Sequence, residues 1–299
     1  MADLAAYTPV DLSRLPAPAV IEELSYETIY ADMLADLQAR LPSFDATLES
    51  DPAVVVLQVA AYREFLLRGR VNDAARALMP AFAVGADLDQ LAALFGVTRL
   101  TLSLGDPDRG IAATLESDDD FRRRMVLAPE GYSVAGPEGA YIYHALTAAG
   151  DVLDASATSP APGEVLVTIL SRSADGTAAP ALIATVDAYL SADARRPMTD
   201  EVTVQSAQIL RFAVEATVTT FPGPDAAIVL AAGRSRLDAY IAGCHRIGRD
   251  VTRSGIFAAL HVEGVVNVAI SAPAVDLVVD RTQASYCTGI AVTHAGTGE

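Results

Sequence analysis

The sequence predicts an α+β protein: an N-terminal helical domain followed by two small α+β units with mixed or antiparallel sheets. Three observations carry this reading. Residues 51–80 show helical spacing of apolar side chains, with only Gly69 interrupting between Pro52 and Pro80. From Val152 the texture changes to β-branched, alternating runs. In that second half, strand-like runs and helical runs follow one another twice. The expected boundaries are an extended arm over 1–25, a helical domain over 26–150, a ββαβ unit over 151–206 and a C-terminal α+β unit over 207–299.

Each element has a local reason. Pro9, Pro16 and Pro18 favour an extended arm, because proline disfavours helical geometry in the residue before it. A helix over 26–40 carries Ile29, Met33, Leu34 and Leu37. In the long helix, Ser50 can cap, Pro52 suits a first turn that does not need its N–H, and Pro80 ends the run. Val55, Val59, Tyr62 and Leu66 form one stripe, and Leu67, Val71, Ala74 and Leu78 a second about 120° around the helix. Two apolar faces call for two sets of partners, as in an assembly subunit or a deeply buried core helix. Spacing alone leaves open which stripe packs within the domain. A short helix with Leu88, Leu91, Ala92, Leu94 and Phe95 stops at Gly96. Residues 100–113 read as a loop.

At 116–124, Ser117 can cap a helix whose first turn carries Asp118, Asp119 and Asp120, with i,i+4 partners in Arg122, Arg123 and Arg124. Residues 131–139 read as a turn before a helix over 140–148. Strands over 152–158 and 164–170 flank a Pro-Ala-Pro-Gly turn, and a helix over 181–190 leads to a strand through Val202 and Val204. In the C-terminal unit Phe212, Val214, Ala216 and Val218 share one face of a long strand. A helix over 225–241 follows, then a short helix that Ser254 can cap, then strands over 265–270 and 286–292. The tail from His294 is expected to fray.

Composition excludes several functions. The formal charge of −17 argues against nucleic acid, whose phosphates are held by clustered cations. All 21 basic residues are Arg, which removes Lys-based phosphate loops and Schiff-base chemistry. No apolar run reaches the roughly 18 residues of a membrane span, and the N-terminus lacks a basic signal-peptide start; soluble synthesis inside the cell is expected. Cys244 and Cys287 are two and far apart, so both are expected to be small buried thiols rather than a disulfide.

Catalytic and metal signatures are missing. His144, His245, His261 and His294 lack metal-ligand spacing. Asp118–Asp120 point in three directions on a helix and make a poor cation site, and Cys244 beside His245 diverges in the same way. No catalytic, cofactor or metal residue is assigned. The segment His245-Arg-Ile-Gly-Arg-Asp250 is the densest polar stretch of the C-terminal unit. It reads as a helix end stopped by Gly248, with Arg249 and Asp250 in an interface ion pair.

Several segments together resemble the baseplate assembly protein J family of contractile-tailed bacteriophages. They are Asp11-Leu-Ser-Arg-Leu-Pro-Ala-Pro18, Ala61-Tyr-Arg-Glu-Phe65, Arg70-Val-Asn-Asp-Ala-Ala-Arg76, Ser133-Val-Ala-Gly136 and Gly139-Ala-Tyr141. His245 to Asp250, Ala259-Leu-His-Val-Glu-Gly264 and Thr282-Gln-Ala-Ser-Tyr-Cys287 complete the set. The resemblance implies a structural baseplate wedge subunit, in a virion or a bacteriocin-like tail (tailocin), assembled in the bacterial cytoplasm. It implies an inner ring around the spike and tube that transmits the contraction trigger. The partners it implies are other copies in a wedge dimer and a sixfold ring, other wedge proteins, the sheath initiator and central hub or spike proteins, with no nucleic acid and no membrane insertion. With the resemblance in view, the Val55–Leu66 stripe is expected to pack within its own domain and the Leu67–Leu78 stripe to face a neighbouring subunit; Leu66, Leu67, Val71, Ala74, Leu78, Arg249 and Asp250 are the candidate subunit-interface residues. A tail-associated cell-wall hydrolase and a host-receptor-binding module are the alternatives, the latter with little to build on at 6% aromatic content and no Trp.

Overall fold

The computed structural model describes residues 12, 15–16, 18–44, 48, 50–192, 195–223 and 225–298. Much of the expected N-terminal arm, residues 1–11 included, lies outside the described residues. Packing divides the described residues into two compact units: one holds those up to Thr98 with Asp118–Arg122, the other Arg99–Ser117 with those from Arg123 onward.

In the first unit, α1 (Tyr26–Arg40) begins at Ser25, whose hydroxyl accepts the Thr28 N–H. It packs against α2 (Pro52–Ala77). Asn72 receives Glu22 in a two-way clamp: its Oδ1 accepts the Glu22 N–H at 3.1 Å and its Nδ2 donates to the Glu22 carbonyl at 2.8 Å. The cap of α2 is Asp51, not Ser50; its carboxylate accepts the Ala53 N–H. The face of α2 buried in the chain is neither of the expected stripes. Val54, Ala61 and Asn72 are its buried positions, while Val55, Val59, Tyr62 and Leu66 are all exposed. Sequence spacing favoured the bulkiest stripe; close packing of α1 uses the side with the small Ala61 and the hydrogen-bonding Asn72.

α3 (Gly85–Ala93) buries Leu88 and Ala92 and ends before Leu94, which is exposed. Arg122 donates to the carbonyls of Pro80 and Ala83 and pairs with Asp119 at i,i+3. Arg122 thus takes Asp119 at i,i+3 and two backbone carbonyls, and Arg123 takes the buried Asp154 at 2.6 Å, partners that offer these guanidiniums more than solvated carboxylates do.

In the second unit, part of the expected loop is ordered: β1 (Thr101–Ser103) pairs antiparallel with β2 (Thr114–Leu115). Gly105 has φ +69°, and a Cβ there would collide with the backbone of Ile111 and Ala112, so the connection requires glycine. α4 (Asp118–Leu127) leads through a 3₁₀ turn, Ala128–Tyr132, to α5 (Glu138–Ala148). β3 (Val152–Thr158) and β4 (Glu164–Ser171) form the expected hairpin, and α6 (Pro180–Leu190) crosses to β5 (Glu201–Ser206), parallel to β4. Tyr141, Ile142 and Ala145 of α5 enter the core of this three-stranded sheet beside Val167, Ile169 and Val186.

The second sheet has the order β7-β6-β8. Its central β6 (Gln208–Thr220) buries Phe212, Val214, Ala216 and Val218, the face the alternation predicts. α7 (Ala226–Cys244) and α8 (Arg253–Leu260) cover it with Leu237, Ile256 and Leu260. Thr252 caps α8 in place of Ser254, its hydroxyl accepting the Gly255 N–H. β7 (Val265–Ala272) runs antiparallel to β6, and β8 (Gln283–Thr297) parallel to it. The expected frayed tail is therefore strand, where the His294 ring meets the Thr220 hydroxyl at 3.0 Å. Cys244 is buried as expected, whereas Cys287 is only half-buried.

His144 on α5 is buried, with Nδ1 lacking a hydrogen-bond partner. Tyr143 and Tyr189 flank its ring. Burial, then the Arg195 cation, holds its pKa below the usual histidine value, with the Gly131 carbonyl partly opposing. The folded protein thus binds fewer protons at this site than the unfolded chain does below about pH 6.5, so stability falls as the pH drops toward the folded-state pKa. Urea midpoints measured between pH 7 and 5 should decline, and His144→Phe should flatten that decline.

Candidate assembly surface

The exposed face of α2 is the most apolar surface feature of the first unit. Val56, Leu67 and Leu78 are 67%, 68% and 74% exposed, and Val55, Val59, Tyr62, Leu66 and Val71 are exposed beside them. At about 100° per residue the two expected stripes are the two edges of one face spanning about half the helix, opposite Val54, Ala61 and Asn72. Of the candidate interface residues, Leu66, Leu67, Val71, Ala74 and Leu78 all lie on this face and are exposed. Arg63 and Arg70 project between its edges. Scattered exposed apolar residues are ordinary; a continuous apolar face on a 26-residue helix is a candidate binding surface.

Arg249 and Asp250 belong to the second unit and are also exposed. The Asp250 carboxylate accepts the Val279 N–H at 2.7 Å, so its role within the chain is to hold a loop rather than to pair with Arg249. The rest of this polar segment joins the two sheets of the second unit. Arg246 donates to the Leu153 carbonyl at 2.7 Å, the Ile247 N–H donates to Asp154 at 2.9 Å, and His245 Nδ1 meets the Ser285 carbonyl.

Asp154 is the centre of that junction. It is 3% exposed, pairs with Arg123 at 2.6 Å and also accepts the Ala155 N–H. Arg281 makes a second junction by donating to Glu138 and to the Ala157 carbonyl, while its own carbonyl accepts the Ser156 hydroxyl. Leu170, Ala207 and Ala284 fill the space between them. Sequence reasoning missed Asp154 and Arg281. Their only signal was charge inside or beside strand-like runs, which is read more readily as a solvated face. Glu116 and Arg124, each 3% exposed in its side chain, form a further buried fork at 2.7 and 3.2 Å. Among the described residues no group of three or more His, Cys, Asp or Glu side chains could hold a metal ion, and no described helix is long and apolar enough to cross a membrane.

These features define a class: an α+β protein whose helical unit presents an exposed apolar helix face. Comparison with known proteins then places it. Three family models match in order, the Baseplate J-like N-terminal domain over 49–106, the central domain over 133–206 and the C-terminal domain over 212–293. The baseplate protein J of Escherichia phage P2 is 46% identical over 299 residues, covering 97% of this chain and 99% of that protein. The chain belongs to the baseplate J-like family. A chain in the cryo-EM structure of the anti-feeding prophage (AFP) baseplate, 6-fold symmetrised, aligns at 14% identity and TM-score 0.38, over 59% of this chain and 43% of that one.

Removing the Asp154 carboxylate strands Arg123 and the Ile247 N–H. Asp154→Ala should therefore destabilise the protein by about 3 kcal/mol in urea unfolding, and amide exchange should accelerate first at residues 245–248 and 281–285.

Proposed function

We propose that this protein is a structural subunit of the baseplate wedge of a contractile tail. It forms the inner ring around the spike and tube with other copies of itself, and passes the contraction trigger to neighbouring subunits. The observation that carries this reading is the full-length likeness, at 46% identity, to the phage P2 baseplate protein J. The exposed α2 face supports it by supplying an apolar surface of the kind an obligate interface needs. Other wedge proteins, the sheath initiator and the hub or spike proteins are the further partners of this reading. Its mechanism is mechanical. Rigid α+β units hold the interfaces, and contacts between subunits switch between packed states.

The test uses α2, and its exposure makes the test clean. Leu66→Asp and Val71→Asp replace side chains that are 43% and 63% exposed in the single chain, so each variant should keep the melting temperature of the parent within a few degrees. In a complementation assay for tail formation, both should give no tails, because a carboxylate buried at a subunit contact costs several kcal/mol. Folded variants that support normal tails would remove α2 from the interface.

A further inference from the structure

We infer that His144 is a proton-operated latch: while its ring is neutral it keeps the 3₁₀ turn at 128–132 and the loop at 195–200 seated against α5, and its protonation releases both. The device lies within one chain and needs no partner. Its first basis is the ring's position. His144 is 9% exposed on α5, and its Nδ1 has no hydrogen-bond partner. A neutral ring leaves that nitrogen a bare acceptor. An imidazolium carries an N–H on both nitrogens, so protonation would bury a charged donor with nothing to receive it.

The second basis is what surrounds the ring. Tyr143 lies edge-on, with ring centroids 5.3 Å apart, and Tyr189 of α6 lies tilted at 6.2 Å. Arg195 places its guanidinium 3.6 Å from the centre of the Tyr189 ring and donates to the Tyr189 carbonyl at 2.9 Å. The aromatic ring beside His144 is thus the one that carries a cation, and a charged His144 would face Arg195 across a short distance. The other charged and titratable groups nearby are engaged or turned elsewhere. Glu130 of the 3₁₀ turn packs against Gly139, more than a turn of α5 from His144, and Glu138 is paired with Arg281. Asp187 is two positions from Tyr189 and so falls on the other side of α6. Arg124 and Tyr132 act on Tyr143. The Gly131 carbonyl favours a charged ring, but burial and Arg195 oppose it more strongly.

The release is local because the two held segments are fastened unequally. Gly131 sits so close to α5 that a Cβ there would collide with the Tyr143 ring, so the turn stays seated only while the rings beside His144 keep their places. The loop has a separate anchor at its far end: the Tyr141 hydroxyl donates to Asp200 at 2.7 Å and Arg196 to the Asp200 carbonyl at 2.6 Å. Opening therefore begins at Arg195 and stops at Asp200, and the β3–β4–β5 sheet keeps its pairing. In the open state His144 recovers an ordinary pKa of about 6.5, so below that pH opening grows by up to about tenfold per unit until the closed-state pKa is reached.

Amide hydrogen exchange of the full chain at about pH 7 and pH 5, corrected for the intrinsic pH dependence of exchange, tests this. Opening at residues 129–132, 195 and 196 should rise about fivefold or more at the lower pH, while β4 amides keep their protection. The His144 ring signal, followed by NMR, should titrate over the range in which those amides open. His144→Phe should make the opening independent of pH. Arg195→Gln, at a half-buried position on the loop, should fold and give a smaller acid response than the parent, because the opposing cation is gone. Protection lost evenly across β3, β4 and β5 would overturn the latch while leaving the pH-dependent stability in place. An acid response that survives in His144→Phe, or one as large in Arg195→Gln as in the parent, would overturn it as well. If His144→Phe does not fold, the Arg195→Gln comparison and the ring titration decide.

Discussion

The carboxylate of Asp154 is the constraint on which the second unit depends. It lies on β3 at 3% exposure, and a carboxylate so placed is tolerable only when its oxygens are fully engaged. Arg123 supplies the countercharge from α4, Ala155 a local N–H, and Ile247 an N–H from the segment that follows α7. Arg123 and Ile247 lie far from it in the sequence, so satisfying one side chain ties α4, β3 and the segment after α7 to one another. A purely apolar junction of this size could slide. A buried acid with three donors has one arrangement, and Arg281 with Glu138 repeats the device at the other end of β3.

In the assembly role proposed above, rigidity there and apolar exposure on α2 serve the same end. A subunit that must hold its neighbours in register gains nothing from interfaces mounted on a pliable body, since a loose scaffold loses in ordering entropy what the contact supplies. The first unit achieves its own rigidity differently. The Asn72 side-chain amide satisfies both backbone groups of Glu22, pinning the entry to α1 against α2 with one neutral residue. This leaves the opposite side of α2 free of any structural duty.

How much of this was legible follows from what kinds of force leave a local trace. Helix and strand existence came through wherever periodicity was long: α1, α2, the β3–β4 hairpin, α6 and β6 all follow from spacing and turn residues. The ends came through less well. Asp51 and Thr252 displaced Ser50 and Ser254 as caps because several residues in a row can cap, and only the backbone's entry angle chooses among them. The β1–β2 pair is set by two short strands whose partners lie outside any window of periodicity. For the candidate surface, the apolar residues of α2 were visible but their direction was not. A helix's core face is decided by what packs on it, and α1 selects small Ala61 and Asn72 over the larger stripe. Asp154 and Arg281 left only the weak trace of charge in or beside strand-like runs, because an ion pair within the fold is defined by two distant residues and neither is unusual alone.

In the assembly role proposed above, the electrostatics of the whole chain bear on what the α2 face can meet. At a net charge of −17, copies repel one another at distances of the order of the Debye length, about 8 Å at physiological ionic strength. An apolar face alone would have to overcome that repulsion and would bind any apolar surface equally. Arg63 and Arg70 place two cations on that face, a local sign opposite to that of the chain. Salt weakens the repulsion and the attraction together. The buried apolar area is indifferent to salt, and it decides how long the contact lasts once made.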